Sequence, residues 1–314
     1  MSKRNLLASI LLVSFLTGCG IEDPEKGVDH TIGMDTDYEA NSLLEDGTGK
    51  KARVLILSGQ SNVTGCSITS YLKDQVSAEK FSTYENGYPN IHINFNIDNH
   101  RTCSEGQWRK TDLLCGSYEA EFGPEVGLAD KLNATFPGEE FYIIKFSMSG
   151  YSLNYHWLKD GGRGEIYYAQ YLYIKTALDY LSSLHYDVSL DAFLWNQGES
   201  DSNDYKAARY YDNQKKFMSY LREDFRDYTA GELKFIDSGI SDSPYCLPGG
   251  PTINAAKKRI AKEDENDIFF STIENGLTTM NEPYYEPDLG HYDALSEIKL
   301  GELFADAVAS LYAK

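Results

Sequence analysis

Short apolar segments alternate along the chain with longer segments whose apolar positions recur at helical spacing. The apolar segments predict strands at residues 53–57, 141–146, 190–195, 233–236 and 268–272. The periodic segments predict helices at residues 124–136, 165–184, 204–225, 252–263 and 293–312. The strand segments are apolar without strict alternation, which is typical of parallel strands buried on both faces. The pattern therefore predicts an α/β fold with a mainly parallel sheet that helices cover on both faces.

Polar clusters follow three of these strands, and a fourth precedes the last helix. They are residues 59–62 (GQSN), 147–153 (SMSGYSL), 196–201 (NQGESD) and 288–291 (DLGH). In open parallel sheets, ligands bind outside the carboxyl ends of the strands. We therefore expect the four clusters to meet at one edge of the sheet, an arrangement that hydrophobic patterning alone does not require.

The N-terminus has the features of an export signal. Lys3 and Arg4 precede an apolar segment, residues 6–16, that is too short to span a bilayer. The segment ends in Leu-Thr-Gly-Cys, which resembles a bacterial lipobox; the alternative is an ordinary secretory signal with a chance cysteine. The sequence thus predicts a lipoprotein signal peptide (1–18), lipidation at Cys19, a flexible acidic tether (19–50) and one domain (51–314). The predicted location is the bacterial cell envelope, lipid-anchored and facing the periplasm or the cell exterior.

Charge narrows the range of partners. The chain has 29 Lys and Arg against 48 Asp and Glu, a formal net charge of −19. Such a surface repels nucleic acid and anionic membranes at long range, so a nucleic-acid partner is not expected. The excess of acidic residues also fits a role in keeping the protein soluble. The oligomeric state is left open.

Four cysteines remain if Cys19 carries lipid: Cys66, Cys103, Cys115 and Cys246. Outside the cytoplasm an even number permits two disulfides, and a bond between Cys103 and Cys115 would close a short loop. The alternative is that some of them are buried thiols. Their spacing is not that of a zinc site, so neither a metal nor another cofactor is expected.

The polar clusters contain the groups that a serine nucleophile requires: a base, a residue that orients the base, and donors for an oxyanion. Ser61 is the candidate nucleophile, His291 the base, and Asp288, three residues before it, the orienting carboxylate. Backbone N–H groups of Ser61 and Gly150 and the side-chain amide of Gln197 are candidate oxyanion donors.

Other interpretations of these residues stay open at this stage. Ser61, following a strand, could cap a helix. Glu199 and Asp201 could be a solvated pair or a buried carboxylate network behind the site. Val63 occupies the last position of a G-x-S-x-G frame, which argues against the nucleophile elbow of α/β-hydrolases.

The motifs together resemble the sialate O-acetylesterase-like branch of the SGNH hydrolases, grouped with carbohydrate esterase family six. The matching segments are GQSN (59–62), FGPE (122–125), the glycine loop (149–153) after Lys145, W-x-QGESD (195–201) and D-x-x-H (288–291). They occur in the family's order. Val63 replaces the usual methionine, and Ser149 and Tyr151 alter the glycine loop, which puts the identity of the substrate in doubt.

This resemblance implies a three-layer α/β/α sandwich of flavodoxin-like type and ester hydrolysis without a metal. It implies that Ser61 attacks an acetyl carbonyl, that His291 takes the serine proton and that Asp288 stabilises the imidazolium. The implied substrate is an acetylated glycan: sialic acid, xylan or another. It also implies supporting roles in the site for Gln60, Asn62, Glu125 and Glu199.

Two other functions stay open. A lipase- or thioesterase-like SGNH hydrolase would use an apolar groove, which aromatic residues near the glycine loop could supply: Tyr151, Tyr155, Trp157, Tyr167 and Tyr168. An inactive glycan-binding lipoprotein would require a lost catalytic residue, and Ser61, Asp288 and His291 are all present.

Overall fold

The computed structural model describes residues 34, 38–40, 44–159, 164–279 and 288–313. The strands in this part of the chain are β1 (Lys51–Gly59), β2 (Ser67–Ile68), β3 (Tyr88–Ile97), β4 (Thr102–Cys103), β5 (Arg109–Thr111), β6 (Glu121–Phe122), β7 (Phe141–Ser147), β8 (Asp187–Asn196), β9 (Lys234–Ser238) and β10 (Asp267–Phe270). The α-helices are α1 (Ser61–Thr64), α2 (Thr69–Gln75), α3 (Ala78–Asn86), α4 (Glu125–Thr135), α5 (Glu165–Ser183), α6 (Asp204–Ala207), α7 (Tyr210–Asp224), α8 (Gly250–Glu263) and α9 (Ala294–Tyr312). A π-helix, Leu153–Trp157, precedes α5.

One central sheet organises the domain. Its strands lie in the order β10-β9-β8-β1-β7-β3-β4, and β5 also pairs with β3. All pairs from β10 to β3 are parallel, whereas β4 and β5 run antiparallel to β3. The first strand therefore lies in the middle, between β7 and β8. Its carboxyl end is where chain connections diverge to the two sides of the sheet, which is the usual position of a ligand site.

Helices cover both faces of the sheet, as the apolar pattern predicts. On β1, Val54 and Ile56 face a core that includes residues of α5, α7 and α8, and Leu55 and Leu57 face a second core with residues of α4 and α9. All four side chains are fully buried. Burying side chains of this size contributes about 1.5–3 kcal/mol each, so both faces hold β1 in place. The predicted three-layer α/β/α fold with a mainly parallel sheet is confirmed.

The prediction missed strand β3, the short strands β2, β4, β5 and β6, and the short helices α1 to α3. Strand β3 was overlooked because buried asparagines interrupt its apolar pattern. Asn94 donates to the carbonyl of Gly106 at 3.1 Å and accepts from the hydroxyls of Ser104 and Tyr173. Hydrogen bonding of this kind removes the cost of burying an amide, but only the fold supplies the partners. The predicted helix at 204–225 is divided into α6 and α7.

Part of the predicted tether packs on the domain. The Tyr38 ring stacks on His100 at 5.5 Å and meets Tyr173 edge-on at 5.1 Å. The backbone of Glu39 lies so close to Gly106 that a side chain there would collide with it. Tyr38 and Glu39 of the predicted tether (19–50) thus lie against the domain, and the flexibility of the tether stays a prediction. The signal peptide and Cys19 lie outside the described residues.

The four described cysteines form no disulfide. Cys115 and Cys246 are fully buried, and burial raises the pKa of the first to about 12 and that of the second to about 11. Both are thus neutral thiols at physiological pH, and the suggested bond between Cys103 and Cys115 is wrong. Among the described helices, none is long and apolar enough to cross a membrane.

Candidate active site

Ser61 lies directly after the central strand, as the first residue of α1. The N-cap residue of α1 is Gln60, whose side chain makes no capping hydrogen bond. Ser61 follows it inside the helix, so the Ser61 hydroxyl is not the helix cap. The backbone N–H of Gln60 donates to the carbonyl of Asn196 at 3.2 Å and joins the ends of β1 and β8. Gly59 has a φ of 155°, and a side chain there would strike that same carbonyl. The turn that presents Ser61 is therefore fixed by close backbone contact.

Asp288 and His291 form a pair on the loop before α9. The Nδ1 atom of His291 lies 2.7 Å from Oδ2 of Asp288. The other carboxylate oxygen of Asp288 accepts from the backbone N–H groups of Gly290 at 2.8 Å and His291 at 3.1 Å. A proton on Nδ1 satisfies the carboxylate, which leaves Nε2 as the proton acceptor of the neutral ring.

Asn62, next to Ser61, joins three of the four polar clusters. Its amide nitrogen donates to Oε1 of Glu199 at 2.7 Å and to the carbonyl of Gly290 at 3.4 Å. Its oxygen accepts from the N–H of Tyr292 at 3.1 Å. The side chain thus contacts both neighbours of His291 and sets the loop beside Ser61. No hydrogen bond links the Ser61 hydroxyl to the His291 ring in the described structure, and such bonds often form only with substrate.

The surrounding charges alter the acidity of this pair. Burial alone lowers the pKa of His291, but its hydrogen bond to Asp288 and the charges of Asp288, Glu199 and Glu121 outweigh burial and raise it above the ordinary value. The bond to His291 lowers the pKa of Asp288 despite partial burial. Asp288 is therefore ionised at neutral pH and favours the imidazolium that proton transfer would create.

Two backbone donors are open beside Ser61. The N–H groups of Ser61 and Gly150 have no hydrogen-bond partner among the described residues. Gly150 is exposed and has a φ of 80°, a backbone conformation that favours glycine. Both groups remain available to an anionic oxygen.

Gln197 does not offer the donor that its position in the sequence predicts. Its amide nitrogen donates to Oδ2 of Asp201 at 2.6 Å and to Oε1 of Gln60 at 3.2 Å, and the side chain is fully buried. Its oxygen accepts from the hydroxyl of Tyr210 at 2.9 Å. Both amide hydrogens are engaged, so Gln197 links the loops behind the site instead of facing an oxyanion.

The alternative of a solvated Glu199–Asp201 pair is wrong, because both carboxylates are buried. Asp201 accepts from the backbone N–H groups of Leu153 at 2.7 Å and Asn154 at 3.1 Å, and burial raises its pKa to about 6. It therefore holds the segment that follows Gly150. Burial also raises the pKa of Glu199, although the hydrogen bond from Asn62 acts in the opposite direction.

Glu125 lies beneath α1 in a buried ion pair. Its Oε2 is 2.6 Å from Nζ of Lys145, and neither side chain is exposed. Lys145 also donates to the carbonyl of Thr64 at 3.1 Å, the last residue of α1. Removing one member of such a pair leaves a buried charge uncompensated. Glu125 thus supports the serine turn from below and does not reach the reacting groups.

The aromatic residues around the site differ from those that the sequence favours. Trp157 and Tyr167 are buried in the core, so they cannot line a groove. Tyr245, on the short helix Pro244–Cys246 after β9, is 55% exposed, and its ring lies against Gly290, one residue before His291. No pattern in the sequence singles out Tyr245, because only the fold brings it to the loop of Asp288 and His291.

Among the described residues, no three or more His, Cys, Asp or Glu side chains are grouped so that they could hold a metal ion. Metal-independent chemistry stays a prediction.

The profile of a family described as "Carbohydrate esterase, sialic acid-specific acetylesterase" matches residues 51–310. No curated protein sequence matches. Among solved structures, a protein from Arabidopsis thaliana is similar with a TM-score of 0.61 at 17% identity, covering 82% of this chain and 98% of that one. NanS is similar with a TM-score of 0.59 at 13% identity, covering 86% and 99%. A carbohydrate acetylesterase from Xanthomonas citri has a TM-score of 0.55 at 14% identity, covering 83% and 57%. At these identities the structures show a shared fold.

Proposed function

The chain belongs to the carbohydrate esterase family of sialic acid-specific acetylesterases, and we propose that it removes O-acetyl groups from glycans through an acetyl-serine intermediate. Membership makes it a carboxylic ester hydrolase. In our proposal Ser61 is the nucleophile that carries the acetyl group, His291 is the base and Asp288 orients it. The alcohol that leaves is a sugar.

In the proposed reaction the Ser61 hydroxyl attacks the acetyl carbonyl while Nε2 of His291 takes its proton. The carbonyl oxygen becomes an oxyanion that the N–H groups of Ser61 and Gly150 stabilise. The bond from the carbonyl carbon to the sugar oxygen then breaks, and the imidazolium returns the proton to that oxygen. Water, deprotonated by His291, attacks the acetyl-serine, and acetate leaves as Ser61 recovers its proton. The sum is one ester and one water to one alcohol and one acetic acid.

The observation that carries this proposal is that Asn62 connects the turn of Ser61 to the loop of Asp288 and His291. It follows the nucleophile in sequence and contacts both neighbours of His291, at 3.4 Å and 3.1 Å. A serine that served only the turn would not require an oriented imidazole beside it, nor two unpartnered N–H groups.

The surroundings favour a sugar over a long acyl chain. Burial of Trp157 and Tyr167 removes two of the five aromatic residues that a lipase-like groove would use. The exposed ring of Tyr245 beside the catalytic loop is instead a surface on which one sugar ring can stack. Retention of Ser61, Asp288 and His291 also disfavours an inactive binding protein.

The test is acetate release from acetylated xylan, O-acetylated sialic acid and other acetylated glycans, with long-chain p-nitrophenyl esters for comparison. Wild-type protein is expected to release acetate, and Ser61→Ala to lose nearly all turnover while keeping the same unfolding temperature. A serine-directed phosphonate should label only Ser61. Turnover near wild type in Ser61→Ala would disprove the mechanism, and preference for long acyl chains would disprove the glycan assignment.

We also propose that Cys19 carries a lipid that anchors the enzyme in the bacterial envelope. The support is the lipobox-like sequence alone, since residue 19 lies outside the described part of the chain. After expression of the whole chain in a bacterium, we expect it in the membrane fraction and Cys19→Ala in the soluble one. Equal distribution of the two forms would contradict the anchor.

A further inference from the structure

The turn after β3 has a backbone conformation that ordinary residues rarely adopt. Asp98, Asn99 and His100 have φ values of 48°, 55° and 69° in succession. Left-handed conformations are uncommon for non-glycine residues and persist where surrounding contacts enforce them, often at functional sites. One such contact comes from the end of β3: the N–H of His100 donates to Oδ1 of Asn96 at 2.9 Å.

The turn directs the Asp98 carboxylate at the loop that carries Gly150. The N–H of Ser149 donates to Oδ1 of Asp98 at 2.6 Å, and the N–H of Asp98 donates to the carbonyl of Ser147 at 2.9 Å. The Asp98 side chain is only 6% exposed. A charged acceptor held this close forms a strong hydrogen bond with a backbone N–H, so the two turns are fixed to each other on both sides of Asp98.

Arg101 compensates the charge of this carboxylate. Its Nη1 lies 2.9 Å from Oδ2 of Asp98, in an ion pair without the alignment of a hydrogen bond. The guanidinium itself is about half exposed and lies over the ring of Tyr118. One carboxylate oxygen of Asp98 therefore lies beside Arg101, and the other is directed at Ser149.

The contacts of Asp98 and its neighbours act on the orientation of the peptide between Ser149 and Gly150. The Ser149 hydroxyl donates to Oγ1 of Thr64 at 3.1 Å, and the N–H of Met148 donates to the carbonyl of Gly59 at 3.1 Å. With Asp98, these contacts fix the chain up to the residue before Gly150. The Gly150 N–H itself has no partner among the described residues, so its direction depends on this anchoring before Gly150 and on the hydrogen bonds of Asp201 to the segment after it.

We propose that Asp98 is a positioning residue that aims the Gly150 N–H at the oxyanion, through its hydrogen bond to Ser149. This inference rests on the proposed function, since it assigns the geometry of the oxyanion donors in that reaction. Asp98 does not touch the substrate. Its effect is therefore expected on the transition state and not on binding of the ground state.

Two substitutions separate this role from a merely structural one. Asp98→Gly removes the carboxylate and suits the left-handed backbone, so the turn can persist. Asp98→Asn keeps an oxygen that can accept from Ser149 and also tolerates this conformation. Glu105→Gly is the matched control, because Glu105 is another acidic residue with a left-handed φ of 51° and is exposed on a different turn.

Kinetics would be measured on a small acetyl ester, with the fraction of active sites titrated by a serine-directed phosphonate. One oxyanion donor contributes roughly 10²–10³-fold to kcat, so its misplacement in Asp98→Gly is expected to lower kcat about 10- to 100-fold. KM should change little. Inhibition by a boronic acid, whose adduct with Ser61 places an oxygen in the oxyanion position, should weaken by a similar factor. Asp98→Asn and Glu105→Gly should stay within about threefold of wild type.

The inference is overturned if titrated Asp98→Gly keeps its kcat within twofold, or if Asp98→Asn falls as far as Asp98→Gly. It is also overturned if kcat falls while the boronic acid binds as before. Failure of the proposed function looks different: the wild-type protein would release no acetate, or Ser61→Ala would remain active.

Discussion

The two edges of the central sheet, one at the amino ends of its strands and one at their carboxyl ends, use charged residues in opposite ways. At the amino edge a cavity of about 620 Å³ is lined by Lys215, Arg222 and Asp264, among others. There Arg222 lies 2.6 Å from Asp264 and 3.3 Å from Glu232, in pairs that solvent reaches. At the carboxyl edge, buried polar groups join loops that are distant in sequence, as in the bond of Asn62 to Glu199.

The two edges thus differ in burial: the polar groups at the carboxyl edge, where the proposed active site lies, are buried, whereas solvent reaches the ion pairs at the amino edge. Charges that neutralise one another at the surface leave no group available for chemistry and contribute little to stability. Buried polar groups are costly unless they are satisfied, so a network of them at the ends of four segments holds precise geometry. Substitutions at the two edges test this contrast.

Asp288→Asn should be the most damaging of these changes. An amide at this position favours the wrong tautomer of His291, and loss of the orienting carboxylate in a serine triad lowers kcat by about 10⁴-fold. Steady-state hydrolysis of an acetyl ester measures the effect. Asp264→Asn is the matched change at the amino edge and should leave kcat intact. If Asp288→Asn is active and Glu199→Gln is not, Glu199 is the orienting residue.

Tyr245→Ala should weaken glycan binding without harming the chemistry. Loss of a stacking surface is expected to raise KM for an acetylated oligosaccharide about 5- to 10-fold. Turnover of p-nitrophenyl acetate, which has no sugar to stack, should be unchanged, and Tyr245→Phe should behave like wild type. Equal losses on both substrates would mean that Tyr245 supports the catalytic loop and not the sugar.

Glu121→Gln should move the acidic limb of the pH–rate profile to lower pH. The Glu121 charge helps to raise the pKa of His291, and the base acts only when it is neutral. Removing that charge lowers the pKa of His291, so activity should rise at pH values below it and stay the same well above it. A profile of kcat/KM against pH measures the shift. Movement to higher pH would contradict the electrostatic assignment.

Arg222→Ala should have the smallest effect. It removes the ion pairs at the amino edge and should lower the free energy of unfolding by about 1 kcal/mol, which chemical denaturation measures. The rate of acetyl-ester hydrolysis should not change, because none of these pairs reaches the carboxyl edge. A clear loss of activity in the folded variant would break the contrast between the two edges.

Local patterns predicted the elements that apolar residues define. Strand β1 and helices α4, α5 and α9 were expected within a few residues of their bounds, because each buries a repeated apolar face. Strand β3 was missed, since Asn94 and Asn96 are buried in it. Asn94 finds its partners in Ser104, Gly106 and Tyr173, and Asn96 finds its partner in the turn at His100. A sequence does not show which polar groups will find such partners.

In the candidate site, too, some features follow from the local sequence and others from the tertiary structure. The sequence by itself determined the chemical groups: a serine after the central strand, an aspartate three residues before a histidine, and a glycine in an exposed turn. These follow from residue type and spacing over a few positions. The tertiary structure decided the roles that depend on direction. It turned the Gln197 amide toward Asp201, placed Tyr245 against Gly290 and aimed Asp98 at Ser149. Hydrogen bonds act over about 3 Å, so their partners are fixed only when packing of the sheet and helices brings remote segments to that distance.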